Sequence, residues 1–519
     1  MQRDKDVTVI KTEILSNRLP AKGAFFAKFK TTLCLFLLTA AALLVHGYHP
    51  FAEDAEIYLP GVERILHPGL FPVGQEFFAS HASLTLFPNL IAASLRITHL
   101  RLEWGLLLWQ VVSIFLLLLA CWQLSGQCFS SPPARWAGVC LVATLLTIPV
   151  AGTALYIADQ YLNPRNLAAF ASVFAVTRTL EKRYVRAGIW LIFAGCVHPL
   201  MAVFAVSFCV LLAVMKEIEA RRDGETTATL RTAAGLCLLL PFGISLAPPA
   251  SPAYHRAALL HSFHYIQRWQ WYEWVGILAP VFLFWWFARM ARARQWAAVD
   301  RLCRALIVYD FIYCVAALVL DLPPRFESLA RLQPLRSLHL LYMLMFVVMG
   351  GFLGEYVLKN RVWRWLVLLL PLVGGMFWAQ RVLFPASAHI EWPWKAARND
   401  WAKAFLWIRA NTPVDAVFAL DPQYMRLPGE DHIGFRCLAQ RSRLADLGKD
   451  SGVVSMFPPL AEEWWSEVLA QTPWKDFRAP DFDRLKRNYG VSWVVVQQPG
   501  IADIECAYQN TTLRVCQLN

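Results

Sequence analysis

The sequence predicts a mostly α protein: a polytopic bundle of about eleven membrane-spanning helices, followed by a small extracytoplasmic α/β domain. Three observations carry that prediction. Of 519 residues, 57% are hydrophobic and only 17% charged, where an ordinary soluble domain is about a quarter charged. Apolar runs suited to spanning recur between residues 31 and 380, and each is read against the roughly 20 residues needed to cross the hydrocarbon core. After Phe384-Pro385 the composition turns ordinary: residues 388–519 hold 15 Lys/Arg and 16 Asp/Glu, a net charge of −1, which leaves net +13 for the rest. That basic excess reads as topology and lipid contact. No interleaved basic and aromatic surface points to nucleic acid.

In chain order, residues 1–30 form a basic N-terminus with Arg3, Lys5, Lys11, Arg18, Lys22, Lys28 and Lys30, which places it in the cytoplasm. The first apolar run has no small-residue cleavage site after it and reads as an uncleaved span. The bundle occupies 31–387, with runs near 31–46, 83–99, 104–122, 136–156, 165–180, 188–215, 232–249, 274–289, 304–320, 337–357 and 362–380. If all eleven cross, Arg96 and Arg101 share the N-terminal side with Lys216, Arg289 and Arg361. Arg178, Lys182, Arg183 and Arg186 then fall outside, against the positive-inside trend.

The outward loop 47–82 carries the acidic triplet Glu53, Asp54 and Glu56 just past the first span, with a short helix expected over Ala55 to Leu66. If the segment after Ala52 is helical, Glu53 and Asp54 point about 100° apart and only one faces the centre. Asp54 is the first candidate catalytic group, as general base or acceptor-orienting carboxylate; Glu53 is the second, and Glu56 is assigned to structure. The loop 250–273 offers His261, His264 and Arg268, and the loop 321–336 offers Arg325 and Arg336 for a phosphate, since a guanidinium presents paired donors; Arg331 is expected to be solvated. His198-Pro199 predicts a kink inside a span, with His198 a candidate substrate contact. Asp159 to Asn166 is a polar break, and Asp310 in its apolar run is expected to pair with an arginine.

Residues 388–519 read as a soluble α/β domain: a helix over 397–410, a strand over Val414 to Leu420, helices over Ala461 to Ala470 and Asp481 to Asn488 closed by Gly490, a strand over Val491 to Gln497, and Leu513 to Gln517 pairing with it. It holds no Gly-rich phosphate loop, no G-x-S-x-G and no C-x-x-C, so a support domain or a lid over the membrane site is expected. Cys506 and Cys516 can form a disulfide in an oxidising compartment or remain separate thiols.

An outward carboxylate after the first span, outward arginines before a late span, and a terminal soluble domain together resemble the integral membrane glycosyltransferases of the C-type fold, in particular bacterial multi-span members ending in a soluble domain. The resemblance covers residues 31–380 in layout, with Glu53-Asp54 at the place of that superfamily's acidic first loop. It implies transfer of a sugar from a polyprenyl-phosphate donor to an extracytoplasmic glycan, lipid or protein, at a bacterial inner membrane with the N-terminus in the cytoplasm. No metal ligand or other cofactor is assigned; the donor sugar, the acceptor, a divalent metal and the oligomeric state are left open. The competing classes are a transporter or flippase of a lipid-linked or anionic substrate, and a noncatalytic envelope-assembly scaffold.

Overall fold

The computed structural model describes residues 26–222, 250–321, 327, 329, 331–500 and 504–518. Among them, seven helices are long and apolar enough to cross a membrane: Phe26–His46, Leu102–Cys128, Pro199–Glu219, Trp271–Ala293, Ala297–Leu320, Pro334–Leu358 and Val362–Leu383. This is a multi-pass membrane protein. The expected count of eleven is corrected to these seven. The run near 232–249 lies outside the described residues, and the runs near 83, 136 and 165 form helices of only 12, 13 and 17 residues. The run 188–215 breaks in two. His198 is extended (φ −155°, ψ 88°), so helix Tyr184–Val197 ends and Pro199 starts the next; a residue before proline is driven out of the helical region, giving a full break rather than a kink.

Side-chain contacts sort the turns between helices to two ends of the bundle. At one end Gln127 donates to Glu181 at 3.2 Å, Lys216 donates to the Leu180 carbonyl at 2.9 Å, and Arg301 and Arg304 bond Glu219. At the other, Arg96 donates to the Ile65 carbonyl and Arg409 of the C-terminal region pairs with Glu103 at 3.5 Å. Helix Phe87–Thr98, about 18 Å long, therefore stays on the side of the C-terminal region, and the expected crossing over 83–99 is overturned. Arg96 and Arg101 move with it. Arg178 and Arg183, which both pair with Glu181, fall at the opposite end, beside the other basic turns.

Apolarity here serves two purposes. Helix Pro164–Leu180 buries 16 of its 17 residues among other helices, whereas Val362–Leu383 buries only Gln380 and turns Trp363, Leu370, Trp378 and Val382 outward. The first is core and the second is rim. Helices Pro132–Thr144 and Leu338–Leu353 approach backbone to backbone: a Cβ on Gly138 would sit 2.8 Å from the Val347 carbonyl oxygen, so the contact needs glycine. Asp310 is buried in its span, but it accepts from the Cys314 thiol at 3.8 Å; the expected arginine is not found among the described residues.

The C-terminal region builds a five-stranded sheet of β1 (Val417–Leu420), β2 (Ser442–Arg443), β3 (Trp493–Gln497), β4 (Cys506–Gln509) and β5 (Leu513–Gln517), in the order β2-β1-β3-β5-β4. β1 runs parallel to β2 and β3, while β5 is antiparallel to β3 and β4. Helix Asp400–Asn411 is capped by Asn399, whose side chain accepts from the Trp401 and Ala402 amides; helix Ala479–Tyr489 ends at Gly490 in the left-handed conformation (φ 67°). Cys506 and Cys516, register partners across β4 and β5, are joined as a disulfide.

Candidate active site

The acidic loop is fixed before its helix begins. Tyr48 donates to the His389 carbonyl and Glu391 donates back to Tyr48; Glu53 donates to the His432 carbonyl at 3.0 Å and Gly434 to that of Phe51 at 2.8 Å. The loop between the first span and helix Ala55–Leu66 is thus stitched to two segments of the C-terminal region. Glu53 sits at φ +55°, a left-handed conformation rare for such a residue. The helix starts only at Ala55, so the expected 100° divergence of Glu53 and Asp54 does not arise. Both carboxylates face one cavity.

That cavity has a volume of about 790 Å³, walled by the bundle and by Gly448, Lys449, Gly452 and Ser455 of the C-terminal region. Lys449 Nζ donates to Asp54 Oδ1 at 2.9 Å and also to Glu53 Oε2. Asp54 Oδ2 lies 3.9 Å from Arg165, and Glu53 Oε1 meets His432 Nδ1 at 2.7 Å. Burial pushes both carboxyls up, but the Lys449 ammonium, seconded by His432 at Glu53 and by Arg165 at Asp54, reverses the shift: Glu53 is lowered to about 2 and Asp54 is held well below the usual carboxylate range. Lys449 is driven the other way: burial lowers it, and the carboxylates more than compensate. The pair is ionised at neutral pH.

Arg165 is itself held rigidly. Asp159 Oδ2 accepts from Arg165 at 2.8 Å and from Asn163 at 2.5 Å, while Gln110 donates to the Asp159 carbonyl and Asn166 to that of Tyr161. The polar break of residues 159–166 is therefore a scaffold for one guanidinium.

Arg336 occupies a different setting. It lines the same cavity, its guanidinium lies 5.1 Å over the Phe263 ring, and its buried Nε has no hydrogen-bond partner among the described residues. No carboxylate is paired with it among the described residues. A desolvated cation without a counter-ion is costly, and an anion of two or more oxygens fits its donor fork.

The remaining sequence candidates divide. His198, His261 and His264 line the cavity: His198 Nε2 has no partner among the described residues, His261 bonds the Ser451 hydroxyl at 2.9 Å, and His264 meets Gln333 at 3.4 Å. Burial lowers His261 to about 3, so it acts as a neutral imidazole. Arg268 does not join them. It closes a short 3-10 turn, is exposed, and lies 5.6 Å over the Tyr265 ring. Arg325 lies outside the described residues. Arg331, expected to be solvated, lines the cavity. Glu56 points away from it and is fully buried between Arg436 at 3.5 Å and Arg443 at 3.0 Å.

Sequence reasoning missed Lys449, His432 and the role of Arg165. Arg165 carried a signal, since a basic residue in a polar break between two apolar runs needs a partner. Lys449 carried none: a single lysine of a soluble segment, nearly 400 residues from its partners, has no local signature. Among the described residues no group of three or more His, Cys, Asp or Glu side chains is arranged to hold a metal ion.

Fold and site together define a multi-pass helical membrane protein with a small mixed α/β region, the two sharing an ionised cavity. No family model matches this chain, and no curated protein does. Among solved structures, the archaeal oligosaccharyltransferase AglB from Archaeoglobus fulgidus, in complex with an inhibitory peptide and a dolichol-phosphate, is similar with a TM-score of 0.47 at 11% identity, over 91% of this chain and 70% of that one.

Proposed function

We propose that the cavity transfers a sugar from a lipid-phosphate donor to an acceptor, as the resemblance to C-type-fold glycosyltransferases implies. The observation that carries the reading is the division of charge within one cavity: an ionised Glu53-Asp54 pair, neutralised by Lys449 and Arg165, and a guanidinium at Arg336 that lacks a carboxylate partner among the described residues. Arg336 takes the donor phosphate. The acceptor atom bonds to the anomeric carbon as the bond from that carbon to the phosphate oxygen breaks, and the departing lipid phosphate keeps the electron pair. Negative charge grows on that phosphate and positive charge on the sugar ring. Arg336 stabilises the first and the Asp54 carboxylate the second. Held so far below neutrality, Asp54 is a weak base, which favours its acceptor-orienting and electrostatic role over proton removal. The lipid phosphate, with a second ionisation near 6, is a better proton acceptor.

Within this proposal, residues 1–30 are cytoplasmic, 31–387 form the bundle with the catalytic loop 47–82, and 388–519 form the extracytoplasmic domain, in a bacterial inner membrane. The test is transfer of radiolabelled sugar from a panel of polyprenyl-phosphate donors by purified protein in lipid. Turnover by the wild type with loss in Asp54→Asn and Arg336→Ala at equal folded yield is expected. Intact wild type that binds no donor in the panel overturns the reading.

A further inference from the structure

We propose that Lys449, carried into the membrane cavity by the C-terminal region, is a positioning residue for the Glu53-Asp54 pair: it fixes both carboxylates and keeps them ionised. The functional sense of this rests on the transferase reading, but the geometry does not. Among the described residues, Lys449 Nζ is the one group in contact with both carboxylates, and its side chain is only 17% exposed. It stands at the first residue of helix Lys449–Met456, where its own amide donates to Asp446 Oδ1 at 2.6 Å.

That helix end is held by charges that do not face the cavity. Asp450 accepts from Arg436 at 2.8 and 3.1 Å, Arg443 bonds Asp446, and both arginines reach Glu56 of the first loop. Glu56 lies two residues from Asp54. The buried cluster therefore sets the distance between the lysine and its carboxylates from both sides, and leaves Nζ little freedom to leave. Its consequence is that the C-terminal region completes the candidate site as well as covering it.

The other charged and titratable groups facing the pair fall short of replacing Lys449. Arg165 reaches Asp54 at 3.9 Å but spends its short bond on Asp159. His432 touches Glu53 alone. The Tyr161 hydroxyl contacts the Asp54 amide at 3.4 Å; Tyr58, His81, His261 and Arg336 act on Asp54 only across the cavity. Removal of the ammonium leaves two desolvated carboxylates side by side, a setting in which one takes up a proton.

A readout independent of turnover exists, because hydrophobic carbodiimides modify protonated carboxyls in apolar sites and spare carboxylates. The full-length protein in lipid, wild type, Lys449→Gln and Lys449→Arg, is treated with dicyclohexylcarbodiimide between pH 5.5 and 8, and adducts at Glu53 and Asp54 are counted by peptide mass spectrometry. We expect the wild type and Lys449→Arg to resist, and Lys449→Gln to be labelled at least tenfold more at pH 6 than at pH 8, with thermal unfolding near that of wild type. Equal labelling of wild type and Lys449→Gln in the folded protein overturns the proposal. Where wild type turns over donor, Lys449→Gln lowers kcat with little change in donor KM, rescued by Lys449→Arg; if wild type is inactive while the labelling pattern holds, it is the transferase reading that fails.

Discussion

Two charge clusters grow from one turn of chain, and they differ in what encloses them. Glu56 is buried between Arg436 and Arg443, which also bind Asp446 and Asp450, all five side chains at most 2% exposed. Glu53 and Asp54, three and two residues earlier, share one lysine and keep 33% and 29% of their side chains open to the cavity. A closed cluster resists change and joins the first loop to the C-terminal region; an open one leaves lone pairs for a ligand. Substitutions in the first should cost folding, and in the second, function.

The largest expected effect comes from breaking the closed cluster. Arg443→Ala removes the partner of Glu56 and Asp446 and leaves uncompensated buried charge, a loss of about 3–5 kcal/mol; thermal unfolding in detergent should fall steeply, or folded yield should vanish. A melting temperature equal to wild type would remove the distinction between the clusters. Next, Asp54→Asn keeps the fold and lowers sugar transfer by about 10²- to 10³-fold, the size of a lost transition-state charge contact, read as kcat at matched folded yield. Arg336→Ala should weaken donor binding by about tenfold or more, as expected when a charge-assisted pair of about 1.5–3 kcal/mol is lost, without lowering the melting temperature, since no carboxylate among the described residues loses its partner.

The smallest effects follow pH. The folded-state value of Glu53, lowered to about 2 against an ordinary 4.5, means that its stabilising contribution is full above about 4.5 and fades as pH falls toward 2. Glu467 behaves in the opposite sense: burial raises it to about 7, although it accepts from the Ala445 amide. Its contribution is full below 4.5 and is lost as pH rises through 7. Glu467→Gln should flatten the fall in stability between pH 5 and 8, measured by unfolding across that range, and leave the Glu53 limb in place. An unchanged slope would mean that Glu467 does not titrate in that window.

What the sequence disclosed follows from how local its causes are. Helix Ala55–Leu66, the helix end at Gly490 and the pairing of β3 with β5 are written in short-range patterns, and each is found close to its expected place. Span counting failed where apolarity is ambiguous: Pro164–Leu180 is apolar because other helices surround it, and Phe87–Thr98 because it packs on the first loop, so neither run reports lipid contact. The candidate site was legible at Glu53, Asp54 and Arg336, whose charge stands out against apolar surroundings. It was not legible at Lys449, whose meaning depends on a chain reversal of nearly 400 residues, nor in the left-handed Glu53, whose amide bonds the distant His432 carbonyl.

In the proposed transferase, one cavity holds a lipid phosphate at Arg336 and its sugar against Asp54. The direct measurement is a cryo-EM structure of the full-length protein in nanodiscs with a non-transferable phosphonate analogue of a polyprenyl-phosphate sugar. Phosphonate oxygens are expected within about 3 Å of the Arg336 guanidinium, the range of a charge-assisted hydrogen bond, with the sugar ring turned toward Asp54. A bound analogue whose phosphonate lies elsewhere, with Arg336 still unpaired, would contradict it.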